Sequence, residues 1–441
     1  MKIVGYLASI LAMRFFGLFL VMPLLALHAT QLPGGTPFLA GVAVGGYALM
    51  QMLFQYPFGH LSDRFGRRGM IAAGMLVFAA GSVVCALSDS IMWLIAGRFL
   101  QGAGAVSAVI TATIGDLIDE EKRSQAMAMM GGSIALSFVV ALLVGPIIGG
   151  HYGVSSLFWV SAALAIGAVL VLKFKVPTPP RSLPFEPLEG SKLRRVLQNR
   201  DLTRLNMAMF LHSFVMTATF IFIPLALTRQ FGWAITDLWK IYLPAVFFGI
   251  LAMGAGAVLG EKYNRVKTVM IAGIVLLIAA FLGLFFFHAE SMFLVWVVVI
   301  FMGINSLEPL MQSSATKFAR AAERGAALGL FNACQFFGVF VGGLSAGWTY
   351  GAHGMEALSL LLSALAFAWL LMTLGLTNPV KMKLLAVEPA ATPLKPGLTQ
   401  SQIEAIAGVK DCYKSADGQK IYLRFDPAQN DEERLRAQLL N

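Results

Sequence analysis

The stretch Gly59-His60-Leu61-Ser62-Asp63-Arg64-Phe65-Gly66-Arg67-Arg68 decides the fold. It is a tight, charged, glycine-bracketed turn between two apolar segments, each long enough to cross a bilayer. So short a loop holds two membrane helices side by side with their ends on one face. Asp63 falls at the C-terminal end of its helix, where the dipole is already negative and a cation is favoured. Such a carboxylate needs a partner, either a nearby arginine or the N-terminus of another helix.

The rest of the chain fits that reading. Its 441 residues are 58% hydrophobic and 13% charged, with a mean hydropathy of +0.75. Soluble domains carry about a quarter charged residues. The apolar residues come in blocks of roughly twenty, the thickness of a bilayer core, so the chain reads as a polytopic membrane protein. The net charge of +10 lies in alternate loops, which makes it topological and leaves no case for nucleic acid as a partner. Cys85, Cys334 and Cys412 are far apart and show neither a disulfide framework nor metal-ligand spacing. No metal or other cofactor is expected. The opening run is broken by Arg14 and is too long for a signal peptide core, so it reads as the first membrane helix.

Twelve spans are expected, at roughly 4–28, 38–61, 69–88, 91–115, 124–150, 154–174, 202–228, 236–260, 267–288, 291–315, 324–350 and 355–377. One set of loops holds Arg64, Arg67, Arg68, Lys122, Arg123, the basic residues of 173–204, Lys262, Arg265, Lys267, Lys317, Arg320 and Arg324. The opposite set holds Arg229 and Lys240. The positive-inside rule then puts both termini in the cytoplasm of a cell whose inner (plasma) membrane the protein spans. The proline-rich stretch 177–190 divides the membrane part into two groups of six. Gly59…Asp63-Arg64 recurs as Gly260…Asn264-Arg265, and Gly145-Pro146-Ile147-Ile148-Gly149-Gly150 recurs loosely as Gly342-Gly343-Leu344-Ser345-Ala346-Gly347. Parallel repeats of this kind suit a rocking, alternating-access carrier. The expected division is 1–176 and 201–380 as six-helix halves, 177–200 as a cytoplasmic linker, and 381–441 as a small soluble module.

That module follows a second linker, Glu388 to Gly397. Thr399 with Gln402 reads as a capping box, Gly408 as a helix stop, and an Asp417-Gly418 turn joins strands at 409–415 and 420–426. With a strand at 382–388 and a helix from Asn430, the order is most of a ferredoxin-like α+β unit. About fifty residues make a marginal core. Docking or self-association would help it.

The loop at 59–68 resembles the loop 2–3 motif of the major facilitator superfamily at Gly59, Leu61, Asp63, Arg64, Gly66, Arg67 and Arg68. Leu94-Ile95-Ala96-Gly97-Arg98-Phe99-Leu100-Gln101-Gly102-Ala103-Gly104-Ala105 resembles its helix 4 motif. Gly145-Pro146-Ile147-Ile148-Gly149-Gly150 resembles the helix 5 motif typical of its antiporters, with Ala141 where the motif begins with glycine. The resemblance implies the twelve-helix fold in two pseudo-symmetric halves and the drug/proton antiporter branch. It also implies a contact between Asp63 and the start of helix 11 that latches the outward-facing state. Asp116 and Arg123, flanking the next loop on that face, are expected to join the charge network. Arg98 sits where the family's helix 4 arginine is linked to proton coupling.

Few ionisable groups fall inside the spans: Arg14, Arg98, Glu308 and His212. A charge at the bilayer centre costs about 2.5–3.5 kcal/mol on insertion scales, so these are expected to face the central cavity. Glu308 is the carboxylate deep in a span and the first candidate for a proton or substrate site, with Arg98 and Arg14 beside it; a structural ion pair is the alternative. Arg14 is expected to bind an anion or to pair with Glu308. Gln51, Gln55, Gln101, Asn305, Asn332, Gln335 and His212 are candidates for the cavity wall, or for simple helix pairing. The glycines and Pro146 of the helix 5 stretch read as packing at a moving interface.

The expected function is secondary active transport, with a small molecule exported against proton entry; bilayer, substrate and protons are the partners. No phosphate-binding loop of the ATPase type occurs, so an ion or substrate gradient would supply the energy. An uptake symporter or facilitator on the same fold is the nearest rival, and a sensor signalling through the C-terminal module is the rival of another class. No nucleophile motif or acid–histidine cluster in the spans points to an enzyme.

Overall fold

The computed structural model describes residues 2–118, 120–177, 190–320, 323–379, 383–387, 402–403, 406–414, 421–426 and 429–439. Helices α1 (Lys2–Gln31), α2 (Pro37–Phe65), α3 (Arg67–Ala86), α4 (Ile91–Ala103), α5 (Ser107–Leu117), α6 (Glu120–Tyr152) and α7 (Val154–Lys175) form a first bundle. A short helix, α8 (Gly190–Gln198), leads to α9 (Arg200–Arg229), α10 (Trp239–Ala257), α11 (Val266–Phe286), α12 (Glu290–Phe318) and α13 (Arg324–Leu374), which form the second. Eleven helical stretches among the described residues are long and apolar enough to cross a membrane. Large apolar side chains such as Trp93, Phe247, Phe248 and Phe286 remain exposed on the outer surface, where lipid rather than water would cover them.

The last stretch is two passes. At 1.5 Å per residue, α13 would measure about 75 Å, more than twice a bilayer core of about 30 Å. It breaks at Gly354, whose φ of 78° lies in the left-handed region that glycine enters without penalty. Its first end bonds to α8 and its last to the start of α9. Glu323 accepts from Arg195 at 2.7 Å, and Thr377 donates its hydroxyl to Asp201 at 2.6 Å. The expected boundary between the last two spans falls at this glycine.

The expected span 91–115 is not continuous. It is interrupted at Gly104-Ala105-Val106, between α4 and α5. The break lies where the chain runs close to α3, since a Cβ at Gly104 would lie 2.4 Å from the carbonyl oxygen of Gly74. α10 continues through a π-helical turn, Val258–Lys262, to Asn264, which holds a positive φ of 55°.

The described part of the C-terminal module is a three-stranded antiparallel sheet, β1 (Lys383–Val387), β2 (Val409–Lys414) and β3 (Ile421–Phe425), in the order β1-β3-β2. Leu385, Cys412, Leu423 and Phe425 pack with Ile403 and with Leu435 of α14 (Glu432–Leu439). Gly408 has a φ of 84°, as expected of a helix stop. The Thr399 cap, the Asp417-Gly418 turn and nearly all of both proline-rich linkers lie outside the described residues.

Candidate functional site

The turn at 59–68 builds a charged junction at the basic face. Gly66, with a φ of 86°, ends α2 and starts α3 within one residue, which brings Arg67 back over the last turn of α2. Arg67 is buried. Its guanidinium sits 2.7 Å from Asp63, donates to Asp116 of α5 at 2.9 Å and donates to the Ser62 hydroxyl at 2.5 Å. Ser62 in turn donates to the Gly59 carbonyl at 2.6 Å. Arg68 donates to the Lys173 carbonyl at the end of α7, and Arg64 is exposed. The expected network therefore includes Asp116, while the side chain of Arg123 lies outside the described residues. Among the described residues Asp63 pairs with the arginine four residues on, one of the two kinds of partner that the sequence allowed. Near that start, added Cβ atoms at Gly325 and Gly329 would meet no atom within 4 Å, as at Gly59.

The two bundles meet at the opposite face. A Cβ on Gly41 of α2 would fall 2.0 Å from the Gly343 carbonyl oxygen of α13, and one on Gly347 would fall 2.3 Å from that of Pro37. Only glycine permits backbones this close. Arg229 at the end of α9 donates to Thr30 at the end of α1 at 2.7 Å. Gly150, at the end of α6, lies against Thr236 of the second bundle, whereas Gly145 and Gly149 pack within the first, on Leu20, Leu24 and Leu157. Pro146 lies inside α6. The helix 5 stretch thus seals α6 onto α1 and meets the other bundle at Gly150.

The interior arginines do not face an open cavity. Arg14 is 2% exposed and Arg98 0%. Arg14 donates to Gln51 at 2.5 Å and to Ser107 at 3.2 Å, not to Glu308. Arg98 donates to the Ala43 carbonyl at 3.1 Å and to Gln101 at 2.7 Å, and lies 4.7 Å from the Tyr47 ring centroid. Gln101 passes the chain on to Ser82 at 2.8 Å. Gln51 and Gln101 are consumed by the arginines rather than lining a cavity. The reason is electrostatic: an enclosed guanidinium must have acceptors, and amide oxygens of neighbouring helices supply them without a carboxylate. Arg14 Nε and Arg98 Nη2 are left without a hydrogen bond among the described residues.

The second bundle differs. His212 of α9 is enclosed as well, 3.1 Å from the Ile304 carbonyl through Nε2 and edge-on to Trp369. Glu308 of α12 is only half-buried, within electrostatic reach of His212 and with no hydrogen bond or ion pair among the described residues. Gln55, Asn305, Asn332 and Gln335 are also half-buried; Asn305 donates to the Phe301 carbonyl at 2.8 Å. Of the expected cavity residues, these and Glu308 are the ones left partly accessible.

One feature escapes sequence reading. Phe19 of α1, Phe138 of α6, Phe220 of α9 and Phe301 of α12 form a chain of rings with centroids 5.1, 6.0 and 6.0 Å apart, crossing from one bundle to the other. Tyr242 stacks at its end, its hydroxyl buried and without a partner among the described residues. Thirty-three phenylalanines give no sign of which four will meet.

A family model described as Major Facilitator Superfamily matches residues 7–307 and 205–410. The chain belongs to this superfamily. It is 32% identical to the inner membrane transport protein YajR of Escherichia coli K12 over 427 residues, 95% of this chain and 93% of that protein. It is 26% identical to the multidrug resistance protein MdtL of Escherichia coli SMS-3-5 over 315 residues, 67% of this chain and 74% of that one. Among solved structures, a bacterial homologue of the lysosomal transporter Spinster, inward-facing and occupied, matches with a TM-score of 0.69 at 16% identity, over 84% of this chain and 94% of that chain. The human organic anion transporter MFSD10 matches with a TM-score of 0.65 at 18% identity, over 84% and 99%. The protein is a multi-pass membrane transporter of the major facilitator fold.

Proposed function

We propose that this transporter exports a small molecule in exchange for protons. The observation that carries the reading is the antiporter-type stretch at 145–150, whose glycines let α6 close on α1 and meet the second bundle at Gly150. The name of the relative MdtL, a multidrug resistance protein, points the same way. Glu308 is the proton site in this reading, because it is a partly accessible carboxylate within a span and forms no ion pair among the described residues. The enclosed Arg14 and Arg98 act as fixed positive charges in the other bundle. Uptake by symport is the rival on the same fold.

The basic face is cytoplasmic in this proposal, in an inner membrane like that of YajR, and the contacts at Gly41, Gly343 and Thr30 close the outer face. Outward opening would break them and bring α2 and the start of α13 together, with Asp63 passing from Arg67 to the α13 N-terminus. The space now beside Gly59, Gly325 and Gly329 is where that closure would occur. The division into 1–176, 177–200, 201–380 and 381–441 belongs to the same reading, as does a ferredoxin-like path for the last module, whose β1-β3-β2 order is compatible with it.

The test is purified protein in liposomes with an internal pH dye and a panel of metabolites and drugs. Export predicts proton movement opposite to cargo; movement of both in one direction would establish symport, and cargo without protons a facilitator.

A further inference from the structure

We propose that the cleft between α8, the start of α9, the end of α12 and the start of α13 binds the phosphate of an anionic lipid headgroup. The cleft has a volume of about 430 Å³ and is lined by Arg195, Asn199, Asp201, Phe318, Arg320 and Glu323, among others. Its two carboxylates are already engaged. Glu323 accepts from Arg195 Nε at 2.7 Å, and Asp201 accepts from the Thr377 hydroxyl at 2.6 Å and the Thr377 amide at 3.2 Å. The cations are not used up. Only Nε of Arg195 is committed, and the Arg320 side chain makes no hydrogen bond or ion pair among the described residues. Two guanidinium groups therefore present unspent donors to one cleft, and a forked donor set matches phosphate oxygens.

The helix that forms one wall fits a membrane surface. On α8, Val196 is fully buried among Leu202, Ala319, Ala326 and Ala327, while Arg194 and Arg195 remain exposed, with Arg200 just beyond. Leu197 is 53% exposed beside them. A short basic helix with an apolar side chain left in the open, at the ends of three membrane-crossing helices, lies at the interface between headgroups and acyl chains. Phe318 gives the cleft an apolar side for the glycerol end of a lipid. These features favour a lipid over soluble phosphate, which would have no use for Leu197 or Phe318. The inference does not depend on the export reading.

The test is native mass spectrometry of the full-length protein in detergent, titrated with phosphatidylglycerol, together with its thermal unfolding. Each of Arg320→Gln and Arg195→Gln is expected to weaken phosphatidylglycerol binding about five-fold, from about 1 kcal/mol per cation near an anionic lipid. Arg265→Gln, on another loop of the same face, is expected to leave it unchanged, and inorganic phosphate is expected not to compete. Arg320→Gln removes no bond, so it stays informative even if Arg195→Gln disturbs folding by freeing Glu323. Unchanged binding in Arg320→Gln would overturn the proposal. So would displacement of the lipid by inorganic phosphate, which would identify a soluble-anion site.

Discussion

The two bundles share a fold and a repeat, yet they place charge in opposite ways. In the first, two arginines are enclosed and held by amides, a carbonyl and a hydroxyl, and the turn at its basic face is pinned by Arg67 between Asp63 and Asp116. In the second, the interior holds a half-buried carboxylate, Glu308, near an enclosed histidine. The corresponding turn there has Asn264 where Asp63 stands, and its ion pair runs the other way. Glu261 accepts from Lys317 of α12 at 2.6 Å and from Ser313 at 2.7 Å. The contrast shows one architecture holding permanent charge in one bundle and titratable charge in the other. In the proposed exchange, such a division would give a proton a place to bind without dismantling the packing.

The largest effect is expected at the first turn. Arg67→Ala removes the buried cation that lies between Asp63 and Asp116 in a poorly hydrated junction, and should lower stability by about 3–5 kcal/mol. Thermal unfolding in detergent would measure it, and a loss below about 1 kcal/mol would remove the distinction between the two turns. Arg98→Ala follows. It strips the Ala43 carbonyl and Gln101 of a charged donor and should cost about 2–3 kcal/mol. The same assay reads it, and an unchanged unfolding midpoint would mean that the enclosed arginine is not structural. Glu261→Gln is expected to cost least, about 1 kcal/mol or less, because Lys317 and Glu261 are 15% and 33% exposed. A cost equal to that of Arg67→Ala would make the two turns equivalent after all.

Much of this was legible in the sequence, because the signals are local. Apolar block length fixed the spans, and the loop arginines fixed their alternation. Gly354 falls at the expected boundary between the last two spans. The charged turn was readable because Asp63 and Arg67 lie one helical turn apart. What the sequence concealed depends on contacts between distant segments. Arg14 and Gln51 lie 37 residues apart and Arg98 bonds a carbonyl 55 residues away, so their enclosure could not be told from cavity lining. The break before Ser107 falls at a close backbone approach to α3, which apolar periodicity does not register. The ring chain from Phe19 to Phe301 joins four helices by side-chain direction alone.

The division of charge is tested most directly by proton flux in liposomes, once an exported cargo is in hand, comparing the parent protein with Glu308→Gln. The account predicts that the parent moves protons opposite to cargo, and that Glu308→Gln loses proton movement while retaining the parent's unfolding midpoint. Full proton-coupled transport in Glu308→Gln would contradict it and move the titratable site elsewhere.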